Sequence, residues 1–178
     1  QNFGQSSEFY PKNVFGFPDT NATINIPSAN EIQILSLGFG GEITIGIKNT
    51  KILNGEGIDF TIFENVFLNP AINKYFVEPA KVAVSKDGIN YFEFPFDSTT
   101  LDGCAGTFPT VGKANPFTPA NCGGNGFDIE DLGLDYITHI KITDISKIVF
   151  ENPSHIYYDV TISGFDLDAV VAWFTEDI

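Results

Sequence analysis

At 178 residues, with 43% apolar side chains and 18 phenylalanines, the chain can build one sizeable core and is too hydrophobic for disorder. Its nine lysines and no arginine stand against 23 acids, a net charge of −14. That balance excludes a nucleic-acid partner and disfavours an anionic membrane surface. No run approaches the roughly 18 apolar residues that would span a bilayer.

In chain order, the pattern is that of β-strands. Residues 42–47 (EITIGI) alternate Ile43, Ile45 and Ile47 with polar or small residues, the period of a half-buried strand. Turn signals follow at Asn54-Gly55 and Asn69-Pro70, and between them residues 57–65 (GIDFTIFEN) read as a buried strand. Val82 and Val84 lead into Asp87-Gly88, a strong hairpin signal flanked by VAVSK and INYFEF. Residues 95–126 are rich in Gly, Pro and Asn and poor in strand pattern, so they form a long excursion. Residues 128–134 (DIEDLGL) suit one short helical turn. Residues 136–143 alternate again, with Tyr136, Ile140 and Ile142 on one side and His139 and Lys141 on the other. Residues 156–163 and 165–174 complete the strand set. No dozen residues carry a helical stripe, and no composition shift divides the chain. A single all-β domain, residues 1–178, follows, either sandwich or barrel.

Cys104 and Cys122 bracket most of the 95–126 excursion. A disulfide closing that loop is expected, adding on the order of 3 kcal/mol and pointing to an oxidising compartment. Two thiols or a metal pair are the alternatives, the latter weakened by the lack of a CxxC or a nearby His. The polar opening at Gln1 is compatible with a trimmed, exported protein. His139 and His155 read as surface residues.

The acids carry the functional reading. Asp59 and Glu64 lie in one buried strand, and Asp166 and Asp168 in another. A buried carboxylate without a partner is costly, and protein cations are scarce here. A hard divalent ion is the fitting partner, and calcium accepts six to eight oxygens in loose geometry. Strand alternation places Asp59 with Thr61 and Phe63, Glu64 with Phe60 and Ile62, and Asp166 with Asp168. A calcium site drawn from Asp59, Glu64, Asn65, Glu78, Asp166 and Asp168 is therefore expected, against the alternative that these acids accept backbone amides. A second candidate is the Gly-rich loop with Asp128 and Asp131, which lacks EF-hand spacing and reads equally as a capped helical turn. Tyr10, Phe15, Phe17, Tyr75, Phe76, Phe117 and Tyr157 are candidates for stacking on sugar rings, though most aromatics must fill the core.

The hairpin VAVSKDGINYFEF resembles the V-x-V-S-x-D-G hairpin of discoidin-type, galactose-binding-like jelly rolls, and YITHIKITDIS resembles a later strand of theirs without its arginines. Five blocks more closely resemble a group of bacterial secreted or cell-surface proteins: LGFGGEIT from Leu37, DFTIFEN from Asp59, FVEPAKVAVSKDG from Phe76, GGNGFDIEDLGL from Gly123 and GFDLDAV from Gly164. The resemblance implies a galactose-binding-like β-sandwich module on or outside the cell, and no reaction. The expected role is non-catalytic binding, with carbohydrate or another surface ligand as partner and calcium as the stabilising ion. A self-associating structural protein is the alternative. A glycoside hydrolase is a further one, resting only on acid pairs.

Overall fold

The computed structural model describes residues 4–28 and 30–178, so the opening at Gln1 lies outside it. The chain is all-β with only short helices, α1 (Pro119–Cys122) and α2 (Lys147–Phe150). One four-stranded sheet has the order β1 (Leu35–Ser36), β12 (Asp166–Ala172), β4 (Phe60–Glu64), β9 (Asn125–Phe127). The other has the order β2 (Glu42–Gly46), β11 (His139–Asp144), β7 (Ala80–Ser85), β8 (Phe92–Glu93). A three-stranded sheet joins β10 (Tyr136–Ile137), β3 (Thr50–Leu53) and β13 (Thr175–Asp177), and β5 (Phe67–Asn69) pairs with β6 (Lys74–Phe76). Every described pairing is antiparallel.

The two four-stranded sheets stack as a sandwich. Phe60, Ile62 and Leu167 of the first sheet pack with Val82, Val84, Ile140 and Ile142 of the second in one core. Each such side chain contributes about 1.5–3 kcal/mol by leaving water. The other face of the first sheet is covered too, where Phe63, Ala169 and Val171 pack with Cys122 of the 95–126 excursion. Strand β4 is thus dry on both faces and buried along its whole length. The acids at its two ends, Asp59 and Glu64, are buried with it.

Several expectations hold locally and bend at a definable point. Residues 42–46 form β2, as their alternation requires. The 80–93 hairpin forms with Ala83 opposite Glu93, but its loop is wider than two residues and wraps the Asp87 carboxylate, which accepts amides from Ile89 and Asn90 at 2.8 Å each. The 136–143 strand breaks at Thr138, whose amide donates to Ser85 O at 2.8 Å. The break sends β10 to another sheet and buries Ile137 instead of Tyr136. Residues 156–163 are turns and not a strand. There the Asp159 side chain takes the Thr161 amide and hydroxyl, a local alternative to sheet pairing.

The excursion is packed rather than loose, and no disulfide closes it. Cys104 sits with Val66, Val77, Leu101, Val149 and Ile162, while Cys122 sits with Phe63, Ala169 and Val171. Each thiol fills a separate apolar pocket, which spacing in the sequence does not reveal. Burial pushes the Cys104 thiol up to about 12. Backbone bonds do the closing: Ala80 and Ala105 exchange both amides at 2.9–3.0 Å, and Val111 N donates to Cys122 O at 2.8 Å.

A buried carboxylate centre at one end of the sandwich

Three acids from three chain segments meet where β4 ends and β12 begins. Glu64 closes β4, Asp166 opens β12, and Glu78 lies just before β7. Antiparallel pairing of Leu167 with Glu64 brings the first two together. One oxygen from each of Glu64, Glu78 and Asp166 lies within 4.8 Å of the others. Glu64 and Glu78 are each only 2% exposed. The lysines that form ion pairs (Lys51, Lys81, Lys86, Lys141 and Lys147) spend them on Glu176, Glu93, Asp135, Glu42 and Glu151. No ion pair among the described residues reaches the three acids.

Hydrogen bonds cover part of the acceptor capacity. Glu78 Oε1 accepts the Gly164 amide at 2.8 Å, the Ser163 amide, and the Ser163 hydroxyl at 3.3 Å. Glu64 Oε1 accepts the Asp166 amide at 3.3 Å, and Asp166 Oδ2 accepts Asn65 Nδ2 at 3.1 Å. Glu64 Oε2 and Asp166 Oδ1 are buried with no partner. An orphaned buried acceptor costs about 1–3 kcal/mol, and more when charged. Burial raises all three acids, and neighbouring carboxylates add to it. Glu64 is pushed well above the carboxylate range, chiefly by burial and then by the charges of Glu78 and Asp166. Glu78 rises to about 7 through burial, with Asp166 adding, and Asp166 to about 6 through burial, with Asp144 adding.

The donor set is hard oxygen alone, with two lone acceptors and no positive side chain. Those features fit a divalent cation of the calcium type.

The other expected ligands lie apart. Asp59 sits at the opposite end of the β4 region and accepts the amides of Gly55 at 2.7 Å and Ile129 at 2.9 Å. Asp168 does not share a face with Asp166, because the register between β12 and β4 shifts between Leu167 and Ala169. That bulge sends Leu167 into the core between the sheets and Ala169 to the other face. Asp168 instead accepts the Asp19 amide with both oxygens, at 3.2 and 3.0 Å, and burial lifts it to about 7. Asn65 stays at the centre, on Asp166. Asp128 caps the 3-10 turn Ile129–Leu132 by accepting the Glu130 amide at 2.9 Å, and Asp131 belongs to that turn. Among the described residues, Glu64, Glu78 and Asp166 are the one group of three acid, His or Cys side chains close enough to share an ion. His155 is buried, against the surface expectation, and His139 is half-buried.

Sequence reasoning missed Asp144 and Asp19, both buried acids. Asp144 Oδ1 accepts amides from Phe165 at 2.8 Å and Ser146 at 3.3 Å, and Oδ2 accepts Gly40 N at 2.8 Å. A signal was available, since Asp144 continues the inward series of Ile140 and Ile142 along β11.

Two adjoining clefts lie away from the centre. One of about 460 Å³ is lined by Phe94, Phe127, Asp128 and Asp131 among others. The second, of about 210 Å³, shares Gly103, Phe108 and Asn125 with it and adds Tyr75, Asp102 and Tyr157. No lysine and none of the three clustered acids lines either one. Of the aromatics considered for sugar stacking, Tyr75 and Tyr157 line the second cleft, whereas Phe76 stacks on Phe67 and Phe117 packs edge-on against Phe17 and Trp173.

Fold and centre together define an acidic all-β sandwich with a buried three-carboxylate junction. Compared with known proteins, the chain matches no family model, no curated protein and no solved structure.

Proposed function

We propose that Glu64, Glu78 and Asp166 hold one calcium ion, and that the chain is a calcium-stabilised, non-catalytic binding module of a jelly-roll-like sandwich, secreted or displayed at the cell surface. The observation that carries this reading is the pair of partnerless buried oxygens, Glu64 Oε2 and Asp166 Oδ1, in a junction that no lysine neutralises. Calcium suits ligands gathered from three segments better than magnesium, which demands a near-ideal octahedron and keeps its waters. A structural rather than catalytic role follows from burial: Glu64 and Glu78 are almost inaccessible, and neither described cleft opens on them. An extracytoplasmic setting suits a site of this kind, because extracellular calcium modules work at high ion concentrations.

For recognition, the adjoining clefts offer aromatic faces at Tyr75, Tyr157 and Phe108, carboxylates at Asp102, Asp128 and Asp131, and no cationic side chain. That chemistry suits a neutral carbohydrate over an anionic ligand. A second reading, self-association, draws on exposed apolar side chains such as Phe15 at 70% and Phe17 at 62%. Light scattering over a concentration series separates the two, and a glycan array in calcium buffer tests the first.

The ion itself is tested by melting the protein at pH 7.5 with calcium and with chelator. Saturation at 100 times Kd adds about 2.7 kcal/mol, which for a chain of this size raises Tm by about 5–10 °C. Identical midpoints in the two buffers would remove the ion from the account.

A further inference from the structure

The centre does not end at its three acids. Asp166 divides its two oxygens: Oδ1 is the buried acceptor left without a partner, and Oδ2 accepts Asn65 Nδ2 at 3.1 Å. The same Nδ2 donates to the Ser28 carbonyl at 3.3 Å. Ser28 is buried, and its hydroxyl donates to Asp19 Oδ2 at 2.7 Å. Asp19 Oδ1 in turn accepts Asn21 N at 3.0 Å, while the Asp19 amide donates to both oxygens of Asp168. A continuous polar chain therefore runs from the acidic junction, through Asn65 and Ser28, to the segment around Asp19, and returns to the bulge of the strand that Asp166 opens.

That segment is held mainly by these polar contacts. Ala22 and the flanking Pro18 are buried, while Phe15, Ile24 and Ile26 are exposed and Phe17, also exposed, meets Phe117 edge-on. Beyond the chain through Asn65, it is fixed at Asn13, which donates to Ser6 O and Ile34 O at 2.9 and 2.8 Å, where Gly112 N donates to Ala22 O at 3.0 Å, and at β5, where Leu68 N donates to Ile24 O at 2.6 Å and Asn25 Nδ2 donates to Leu68 O at 3.1 Å. An element with few buried apolar contacts opens at low free-energy cost.

We infer that occupancy of the acidic centre controls the docking of residues 19–28, with Asn65 as the positioning residue between them. The inference rests on the ion reading given above. A cation on Asp166 Oδ1 fixes the carboxylate plane, and so fixes the Oδ2 that orients the Asn65 amide. A fixed Asn65 amide in turn holds the Ser28 carbonyl. Coupling of this kind is reciprocal: whatever factor the ion adds to docking, docking adds to ion affinity. Calcium thus acts as a clasp on a strap whose outer side carries exposed aromatic and aliphatic groups.

Hydrogen exchange of the Asn21 and Ala22 amides, with calcium and with chelator, reads the strap. Calorimetric calcium titration of the same samples reads the centre. In the wild-type chain, calcium slows exchange at these amides by at least about fivefold, the lower end of ordinary coupling. In Asn65→Ala calcium still binds, more weakly, and exchange no longer responds to it. In Ser28→Ala, which touches no proposed ion ligand, calcium affinity falls by the same factor by which the exchange response shrinks. Calcium binding with no exchange response in the wild type overturns the coupling while leaving the ion in place. An equal response in wild type and both variants overturns it as well. A wild-type protein that binds no calcium overturns the ion reading and the coupling together.

Discussion

Asp144 and Asp166 are acids of one sandwich, the first buried and the second half-buried, close enough for the charge of Asp144 to raise Asp166, yet their oxygens are satisfied very differently. The carboxylate of Asp144 is saturated by amides of Gly40, Ser146 and Phe165 drawn from three loops, so it ties those loops together with no need of an ion. Asp166 meets the Asn65 side-chain amide on Oδ2, is held lower by a hydrogen bond from the Ser36 side chain, and keeps Oδ1 without a well-formed partner beside two more acids. Burial of a carboxylate therefore does not mark a metal site. What separates the two is the number of donors each oxygen finds, since an acceptor filled by amides leaves nothing for a cation to add.

The largest effect is expected at the saturated acid. Asp144→Asn places an amide group against backbone donors and should cost about 3 kcal/mol or more. Urea unfolding should report that loss equally with calcium and with chelator, because no ion is involved. A calcium-rescued Asp144→Asn would break the comparison.

Glu64→Gln should behave the other way. In chelator the neutral side chain relieves repulsion with Glu78 and Asp166, so the variant should match or exceed the wild type by about 1 kcal/mol. With calcium it should lose the gain of about 2.7 kcal/mol expected for the wild type near saturation. Thermal melts in the two buffers read both signs.

A smaller and more gradual effect concerns pH. In the metal-free protein Glu64, Glu78 and Asp166 hold protons more tightly when folded than when unfolded, with Glu78 near 7 and Asp166 near 6. The folded state then binds more protons than the unfolded state between the unfolded carboxylate value of about 4 and neutrality, so stability falls as pH rises through that window. Calcium competes with those protons, and the stabilisation it gives should grow from pH 5 to pH 8. Melts at several pH values in chelator check the slope. A midpoint that climbs toward pH 8 without metal contradicts the raised acids.

Much of this was legible in the chain, and the failures have physical causes. Alternation marked β2, β7 and the inward face of β11, and the scarcity of cations pointed to a wider set, Asp59, Glu64, Asn65, Glu78, Asp166 and Asp168, of which only Glu64, Glu78 and Asp166 come together as acids. The bulge at Asp168 was not legible, because one inserted residue flips a face without altering composition. The cysteines misled for a similar reason: their spacing allowed a bridge, but the walls of two apolar pockets hold them apart. Strands as short as β5, β6 and β13 carry too few residues to show a period. Asp144 was readable from its phase with Ile140 and Ile142, although an acid at the end of a strand resembles a turn residue.

The most direct test is calorimetric titration of chelator-stripped protein with calcium at pH 7.5, run beside Glu64→Gln. One ion per chain in the wild type, lost or strongly weakened in the variant, is the predicted result. A flat wild-type titration, or identical binding in both proteins, would contradict the claim that Glu64, Glu78 and Asp166 form a cation site.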